Sequence, residues 1–269
     1  MIAHEDEYLD PVDGLIHCRK CGGPRQTRIQ FNGDSFAPRC ICPCQREKDR
    51  RRREAEERRQ RMERIRRRKT QGLQDRYLYE YTFANDNGEN PVMKKIHAYV
   101  DHWPEAFKKN IGLLLFGDVG TGKSFAAGCI ANTLLDQDIP VLMTNFPSIL
   151  SRLAGTFGED RTVFLDSLGD YDLLIIDDLG VERSTEYTME QMFSIVDSRY
   201  RSGRPLIVTT NLKLDEMKHP LDLAHARIYD RILERCAPIL FAGKNFREDN
   251  AASTKAAARV IVSPDNKKT

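Results

Sequence analysis

The sequence predicts an α/β fold in which a parallel β-sheet is flanked by helices and preceded by a small region of different composition. Two observations predict the sheet: five short apolar segments occur between residues 111 and 241, and longer amphipathic segments separate them. Apolar strands that alternate with helices typically form a parallel sheet covered on both faces. A third observation concerns the first 44 residues, which contain five of the seven cysteines.

The expected elements follow one another in a strand–helix alternation. Strands are expected at 111–116, 140–144, 172–177, 205–210 and about 237–241. Helices are expected at 123–137, 146–157, 160–168, 186–202 and 222–235. Composition then predicts a cysteine-rich domain at 1–44, a charged helical linker at 45–72, the α/β domain at 73–247, and a tail at 248–269 that is disordered beyond its alanine-rich part.

The charge of the chain is unevenly distributed. Net charge is only +2, but residues 45–69 contain fourteen Lys or Arg against six Asp or Glu. This stretch therefore has a charge of +8, which leaves −6 for the remainder of the chain. Such asymmetry is typical of a segment that faces nucleic acid or an acidic partner.

The sequence predicts neither a secretory signal nor a membrane segment. Its first residues are acidic and lack an apolar core, and no apolar run approaches the roughly 18 residues that a membrane helix needs. We therefore expect a cytoplasmic protein. In a reducing compartment, cysteines more often bind metal or remain buried thiols than form disulfides.

One segment between an expected strand and an expected helix carries a complete G-x-x-x-x-G-K-S motif. Its residues are Gly117, Asp118, Val119, Gly120, Thr121, Gly122, Lys123 and Ser124, and Phe125 follows. The glycines allow backbone N–H groups to surround a phosphate, and the helix N-terminus adds partial positive charge. Lys123 can reach the β- and γ-phosphates, and the Ser124 hydroxyl can bind Mg²⁺. The segment therefore predicts that the chain binds a nucleoside triphosphate with Mg²⁺.

A second motif ends the expected strand at 172–177 with two carboxylates. In an open parallel sheet, ligands bind beyond the carboxyl ends of the strands. Asp177 is therefore expected to hold Mg²⁺, and Asp178 to orient or deprotonate the attacking water. The simpler alternative for Asp178 is a cap on the following loop, a position that Asp also favours.

Three further polar residues complete the expected site. Asn211 follows the strand at 205–210, where it could position the attacking water, although Asn is also common in turns. Arg231 lies in a later helix and Arg247 follows the last strand. A guanidinium from a neighbouring subunit would stabilise charge on the transferred phosphoryl group. Taken alone, each arginine is an ordinary surface ion-pair residue.

The order of these motifs resembles that of the AAA+ ATPases of the helicase-loader family, the DnaC-like proteins of bacteria and phages. The similarity covers about residues 73–247 and includes Leu-Leu-Ile-Ile-Asp-Asp-Leu-Gly, Val-Thr-Thr-Asn-Leu and Arg-Ile-Tyr-Asp-Arg-Ile. It implies that Asn211 is sensor 1 and that Arg247 is a sensor-2-like residue. It also implies that Arg231 is the arginine finger, with Arg227 as its companion.

The N-terminal cysteines have the spacing of a structural zinc site. A C-x₂-C-G-G knuckle is followed, after eighteen residues, by three further cysteines in a C-x-C-x-C group. Four of the following five residues would bind Zn²⁺: Cys18, Cys21, Cys40, Cys42 and Cys44. His17 is a weaker candidate ligand. Because residues 1–44 contain few apolar side chains, the metal would supply folding free energy that burial cannot.

The charged stretch at 45–69 is expected to be helical, because it contains no Pro or Gly and consists mainly of Arg and Glu. Its acids can pair with arginines three or four residues further on. A solvated helical spacer is the simpler interpretation. Contact with DNA phosphates, or with an acidic face of a partner protein, is the functional one.

The motifs and the resemblance together predict an ATP-dependent loader of the replicative DNA helicase. The resemblance implies that the N-terminal region docks the helicase, that the AAA+ domain binds single-stranded DNA, and that these domains self-associate. Hydrolysis should be slow in an isolated subunit, since Arg231 would act on a neighbour, and since Asp178 stands where AAA+ proteins usually have Glu. Two alternatives are an IstB-like ATPase that assists a transposase, and an adaptor that switches with nucleotide without hydrolysing it.

Overall fold

The computed structural model describes residues 5–155, 158–180 and 185–262. They form two compact units, one up to Arg64 and one from Ile65 onward. The boundary falls within helix α1 (Pro43–Gly72), which spans almost the whole charged stretch. The functional division predicted at residues 44 and 72 stays a prediction.

The unit up to Arg64 contains two small antiparallel hairpins. Strand β1 (Glu7–Leu9) pairs with β2 (Ile16–Cys18), and β3 (Ile29–Phe31) pairs with β4 (Asp34–Phe36). Few apolar side chains are buried in this unit. The Glu7 carboxylate is buried instead, and it accepts hydrogen bonds from the guanidinium groups of Arg25 and Arg39.

The unit from Ile65 onward alternates strands and helices. Its strands are β5 (Gly112–Gly117), β6 (Val141–Asn145), β7 (Leu173–Leu179), β8 (Leu206–Thr210) and β9 (Cys236–Phe241). Its α-helices are α2 (Met93–Asp101), α3 (Trp103–Lys108), α4 (Lys123–Asp136), α5 (Phe146–Ala154), α6 (Glu159–Gly169), α7 (Glu186–Ser202), α8 (Leu214–Lys218), α9 (Leu223–Arg235) and α10 (Phe246–Val262). Two short 3-10 turns precede α2.

Among the described residues, the five later strands form one parallel sheet in the order β6-β7-β8-β5-β9. Successive strand residues point to opposite faces, and both faces are apolar. Leu113 and Leu115 pack into one buried cluster with α2 and α4, whereas Leu114 packs into a second cluster with α5, α7 and α9. The sheet is therefore covered on both faces, which confirms the predicted fold class.

The predicted strands agree with the observed ones to within one or two residues. Helix α5 ends at Ala154 rather than at residue 157, and residues 156–157 lie outside the described part of the chain. The tail was predicted to be disordered beyond its alanine-rich part; helix α10 covers that part and extends to Val262, because the alanine-rich sequence favours helix. Residues 263–269 lie outside the described residues.

No helix in the described ranges is long and apolar enough to cross a membrane.

Candidate functional site

The phosphate-loop motif forms the turn between β5 and α4. Gly117, Gly120 and Gly122 adopt positive φ angles of 134°, 80° and 96°, a region that residues with a Cβ rarely occupy. A Cβ on Gly120 would also collide with the Asn245 side chain. The glycines are therefore required by the backbone path of the loop.

Lys123 lies at the start of α4 with its side chain turned into the loop. Its Nζ donates hydrogen bonds to the carbonyl oxygens of Gly117 (2.8 Å) and Asp118 (2.6 Å). Burial lowers the pKa of the Lys123 ammonium, although nearby acids, Asp178 first, oppose the shift. A buried cation bound to neutral carbonyls gains by exchanging them for anionic phosphate oxygens, since charge-assisted hydrogen bonds are stronger.

The two carboxylates predicted at the end of β7 lie at a β-bulge. The register between β7 and β8 shifts between Ile176 and Leu179, and Asp178 has a positive φ of 57°. The bulge interrupts the alternation of side chains along the strand. As a result, Asp178 lines the pocket described below, while Asp177 hydrogen-bonds to Ser124.

Thr209 on β8 holds this bulge; it belongs to the Val-Thr-Thr-Asn-Leu motif, in which only Asn211 was predicted to be a site residue. Its hydroxyl donates a hydrogen bond of 2.5 Å to Asp177 Oδ1 and accepts one of 2.9 Å from the backbone N–H of Asp178. Burial raises the pKa of Asp177, while hydrogen bonds from Thr209 and Ser124 act in the opposite direction. The hydroxyl and carboxylate oxygens of Ser124 and Asp177 are ligands that suit Mg²⁺.

A pocket of about 520 Å³ opens beside the loop, large enough for a nucleotide. The predicted residues that line it are Val119, Gly120, Thr121, Gly122, Lys123, Ser124, Phe125, Asp178, Asn211 and Arg247. The structure therefore brings the loop, one acid, the strand-end Asn and one predicted arginine around a single cavity. Gly117, Asp118, Asp177 and Arg231 are not among its lining residues.

The opposite wall of the pocket comes from a segment that was not predicted to take part in the site. It consists of Tyr81, Asn85, Asp86, Asn87, Asn90 and Met93. Asn90 Nδ2 donates to the Thr121 carbonyl at 3.1 Å, and the Tyr81 ring meets Phe125 edge-on at 5.3 Å. The only sequence signal was a polar, Asn-rich run at 85–90, which is equally typical of a surface loop.

Arg231, the predicted arginine finger, lies on α9 outside this pocket. Its Nε donates a hydrogen bond to Asp197 Oδ1 at 2.8 Å, and its guanidinium lies 4.6 Å from the centre of the Phe193 ring. Arg227, one turn earlier on α9, accepts a hydrogen bond from Arg231 through its backbone carbonyl. Neither arginine lines the pocket of its own chain.

Four of the five N-terminal cysteines come together. The sulfur atoms of Cys18, Cys21, Cys42 and Cys44 all lie within 4.8 Å of one another. A tetrahedral site with Zn–S bonds of about 2.3 Å would hold its sulfurs about 3.8 Å apart. The Cys18–Cys44 and Cys42–Cys44 separations of 3.7 and 3.4 Å are close to that value. The donor set therefore fits zinc.

Two other candidates for this site make different contacts. The Cys40 thiol donates to the Pro24 carbonyl at 3.5 Å. His17 bonds to Asp13 and to the Gly22 carbonyl, both at 2.9 Å. Within the cluster, hydrogen bonds from backbone N–H groups, that of Cys21 above all, lower the pKa of the Cys18 thiol to about 6. The lower pKa favours the thiolate, which is the form that binds metal.

A family sequence model described as IstB-like ATP binding protein matches residues 40–254. The replicative helicase loader DnaC of Escherichia coli (strain K12) is 34% identical over 149 residues, which cover 54% of this chain and 58% of that protein. The replicative helicase loader DnaI of Bacillus subtilis (strain 168) is 25% identical over 181 residues, covering 62% of this chain and 58% of that protein. The chain thus spans less than two thirds of the length of these relatives.

A crystal structure of DnaI superimposes with a TM-score of 0.56 and 24% identity, covering 67% of this chain and 100% of that one. At this identity the superposition supports the fold. It agrees with the parallel sheet and flanking helices described above.

Proposed function

We propose that this chain, which belongs to the IstB-like ATP binding proteins, is a DnaC-like AAA+ ATPase that acts as an ATP-dependent loader of a replicative DNA helicase. The observation that carries the proposal is the convergence of Lys123, Asp178 and Arg247 on one nucleotide-sized pocket. The similarity to DnaC and DnaI, both named as helicase loaders, supports the choice of partner.

In this proposal the pocket binds ATP and positions it for hydrolysis. Lys123 and the loop amides would hold the β- and γ-phosphates, and Ser124 and Asp177 would hold Mg²⁺, which would supply positive charge to the phosphates. Asp178 would orient the attacking water or accept its proton, and Asn211 would position that water. Arg247 would stabilise charge on the γ-phosphate, and Phe125 and Tyr81 line the same pocket.

Self-association is proposed because Arg231 lies outside the pocket of its own chain. A neighbouring subunit could supply it across an interface, as arginine fingers do in other phosphoryl-transfer proteins. The ion pair with Asp197 and the ring of Phe193 fix the guanidinium on α9. ATPase activity should therefore be slow in an isolated subunit and increase on assembly.

We assign the proposed partner contacts to separate segments. Residues 1–44, with Zn²⁺ held by the four clustered cysteines, would dock the helicase, and 45–72 would connect them to the AAA+ domain at 73–247. That domain would also bind single-stranded DNA during loading. The metal would act structurally, because all four of its tetrahedral positions would be taken by protein sulfurs.

The decisive experiment is retention of the cognate replicative helicase by the full-length chain. The wild-type chain and Lys123→Ala should both retain helicase, if docking uses the N-terminal region, but only the wild type should transfer it to DNA in the presence of ATP. Failure of the wild-type chain to retain the helicase, with the N-terminal unit folded, would contradict the loader assignment.

A second candidate is an ATPase that assists a transposase, since the matching family is named for IstB. It predicts retention of a transposase in place of a helicase, together with assembly on duplex DNA. A non-hydrolysing adaptor is the third. In that case Asp178→Ala would leave function intact, whereas Lys123→Ala would abolish it.

A further inference from the structure

Helix α1 exposes a long arginine-rich surface, with seven Arg and four Glu in residues 51–64, that the proposed function does not use. Every residue from Arg51 to Arg64 is exposed, so no side of this part of the helix is buried. A helix that is polar on all sides bridges regions through solvent or is stabilised by ion pairs between residues four apart, and the charges left outside such pairs can face a partner. Residues 51–64 are called the exposed α1 segment below.

Some arginines in or beside the exposed α1 segment are already paired. Arg50 and Arg51 bond to Glu47 at 2.6 and 2.7 Å, and Arg59 bonds to Glu56 at 2.9 Å. Within the described ranges, four others form no ion pair or hydrogen bond like these, although the charge of Arg52 helps to lower the pKa of Glu56: Arg52, Arg53, Arg58 and Arg61. These four guanidinium groups are available to an anionic partner.

The four arginines are spread around the helix. At about 100° per residue, Arg53, Arg61 and Arg58 fall within an arc of about 140°, and Arg52 lies about 100° from Arg53 on the remaining side. A flat acidic surface would not contact all four. A helix lying in the major groove of duplex DNA has phosphates on both flanks, and the groove is about 12 Å wide, enough to admit a helix.

The apolar content of the segment argues against a protein groove. A helix that binds such a groove uses apolar anchors at i, i+3 or i+4, and i+7, but the larger apolar residues of this segment are limited to Met62. The segment also has no aromatic residue on which bases could stack. The high share of Arg suits phosphate, which guanidinium binds through two parallel hydrogen bonds.

We infer that the exposed α1 segment binds the phosphate backbone of duplex DNA in the major groove, without sequence preference, through Arg52, Arg53, Arg58 and Arg61. Each phosphate contact releases a counterion, so the logarithm of the binding constant should fall with the logarithm of salt concentration by about 0.9 for each contact. Four contacts contribute a slope of about −3.6.

The test measures fluorescence anisotropy of a labelled mixed-sequence duplex with the full-length chain, between about 50 and 200 mM salt. The variant R52Q/R53Q/R58Q/R61Q should bind the duplex at least roughly tenfold more weakly than the wild type at low salt. Its slope of log K against log salt concentration should be less negative by about 3.6. Glutamine is a good helix former, so the helix should persist. The charge-preserving variant R52K/R53K/R58K/R61K should retain most of the slope, because lysine also pairs with phosphate as a point charge.

A matched control removes the same net charge from another exposed surface. Four exposed lysines lie on or beside α2 and α3: Lys94, Lys95, Lys108 and Lys109. Their replacement by Gln should change the salt slope of duplex binding by no more than about 1 from the wild-type value. Equal losses in both Gln variants would show a mere net-charge effect and overturn the inference.

Three other results would also overturn it: unchanged duplex binding by the α1 Gln variant, loss confined to single-stranded DNA, or loss of helicase retention with duplex binding intact. The last result would assign the segment to a protein partner. Nucleotide affinity should not change, because none of the four arginines lines the pocket. Arginine-dependent duplex binding without helicase retention would support this inference while contradicting the loader proposal.

Discussion

The unit up to Arg64 and the unit from Ile65 are stabilised by different means. The second buries alternate strand residues in apolar clusters on both faces of its sheet. In the first, Val12, Phe31 and Phe36 are more than half exposed, while the Glu7 carboxylate is buried. Units this small with so little apolar burial usually need a metal or a cross-link. The comparison indicates that a few specific polar groups stabilise the first unit, whereas burial stabilises the second.

Removal of the proposed metal should produce the largest difference in stability between the two units. A chelator, or Cys42→Ser, should unfold the N-terminal unit, because binding free energy at a structural zinc site is also folding free energy, about 10–16 kcal/mol in zinc-finger peptides. Hydrogen exchange should show loss of protection in β1 and β2, with β5–β9 and ATP binding unchanged.

Cys40→Ser is the matched control, because the Cys40 thiol bonds to the Pro24 carbonyl and lies outside the sulfur cluster. It should leave the protection of β1 and β2 almost unchanged. Equal effects of Cys40→Ser and Cys42→Ser would refute the four-sulfur assignment, and resistance of the full chain to the chelator would refute the dependence on metal.

The same comparison explains how much could be predicted from the sequence. The strands of the second unit were predictable because their residues are apolar on both faces, and the phosphate loop because its motif is contiguous in the chain. Thr209 was not predictable as a site residue, since it meets Asp177 and Asp178 only when β7 and β8 align. Spacing also left open which two of Cys40, Cys42 and Cys44 join Cys18 and Cys21. In the structure the chain turns into α1 at Pro43, and Cys42 and Cys44 on either side of it lie in the sulfur cluster.

The buried Glu7 gives the next largest effect. Glu7→Gln should destabilise the N-terminal unit by about 1–3 kcal/mol, because it removes the negative charge that pairs with two arginines. Both arginines are partly exposed, and water compensates for part of the lost interaction. Protection of β1 and β2 from hydrogen exchange should fall accordingly. Asp13→Asn, at the exposed pair with His17, should destabilise the unit less than Glu7→Gln does, because exposed ion pairs contribute little. If the two substitutions cost the same, Glu7 has no special structural role.

In the second unit, Thr209→Val should reduce catalysis more than stability. Valine preserves the shape but removes the hydroxyl that bonds to Asp177 and to the backbone N–H of Asp178. Loss of a residue that orients a metal ligand typically reduces activity about 10–100-fold, and we expect such a fall in kcat of the assembled ATPase. Thr144→Val, on β6, is the control, because its hydroxyl bonds to Gln74 at a long 3.5 Å. Similar kcat values for both variants would contradict the positioning role.

The smallest expected effect tests whether the Asn-rich wall belongs to the nucleotide site. Asn90 Nδ2 donates to the Thr121 carbonyl, and its Oδ1 accepts from the Val92 N–H, so the side chain connects this wall to the phosphate loop. Asn90→Ala should weaken ATP·Mg binding about fivefold, corresponding to about 1 kcal/mol for one hydrogen bond, as measured by calorimetry. Asn87 lines the same pocket but bonds to the Glu89 N–H rather than to the phosphate loop. Asn87→Ala should therefore change the affinity less. Because neither residue lies in the N-terminal unit, the hydrogen-exchange protection of β1 and β2 should not change, and a change there would contradict a local effect at the nucleotide site.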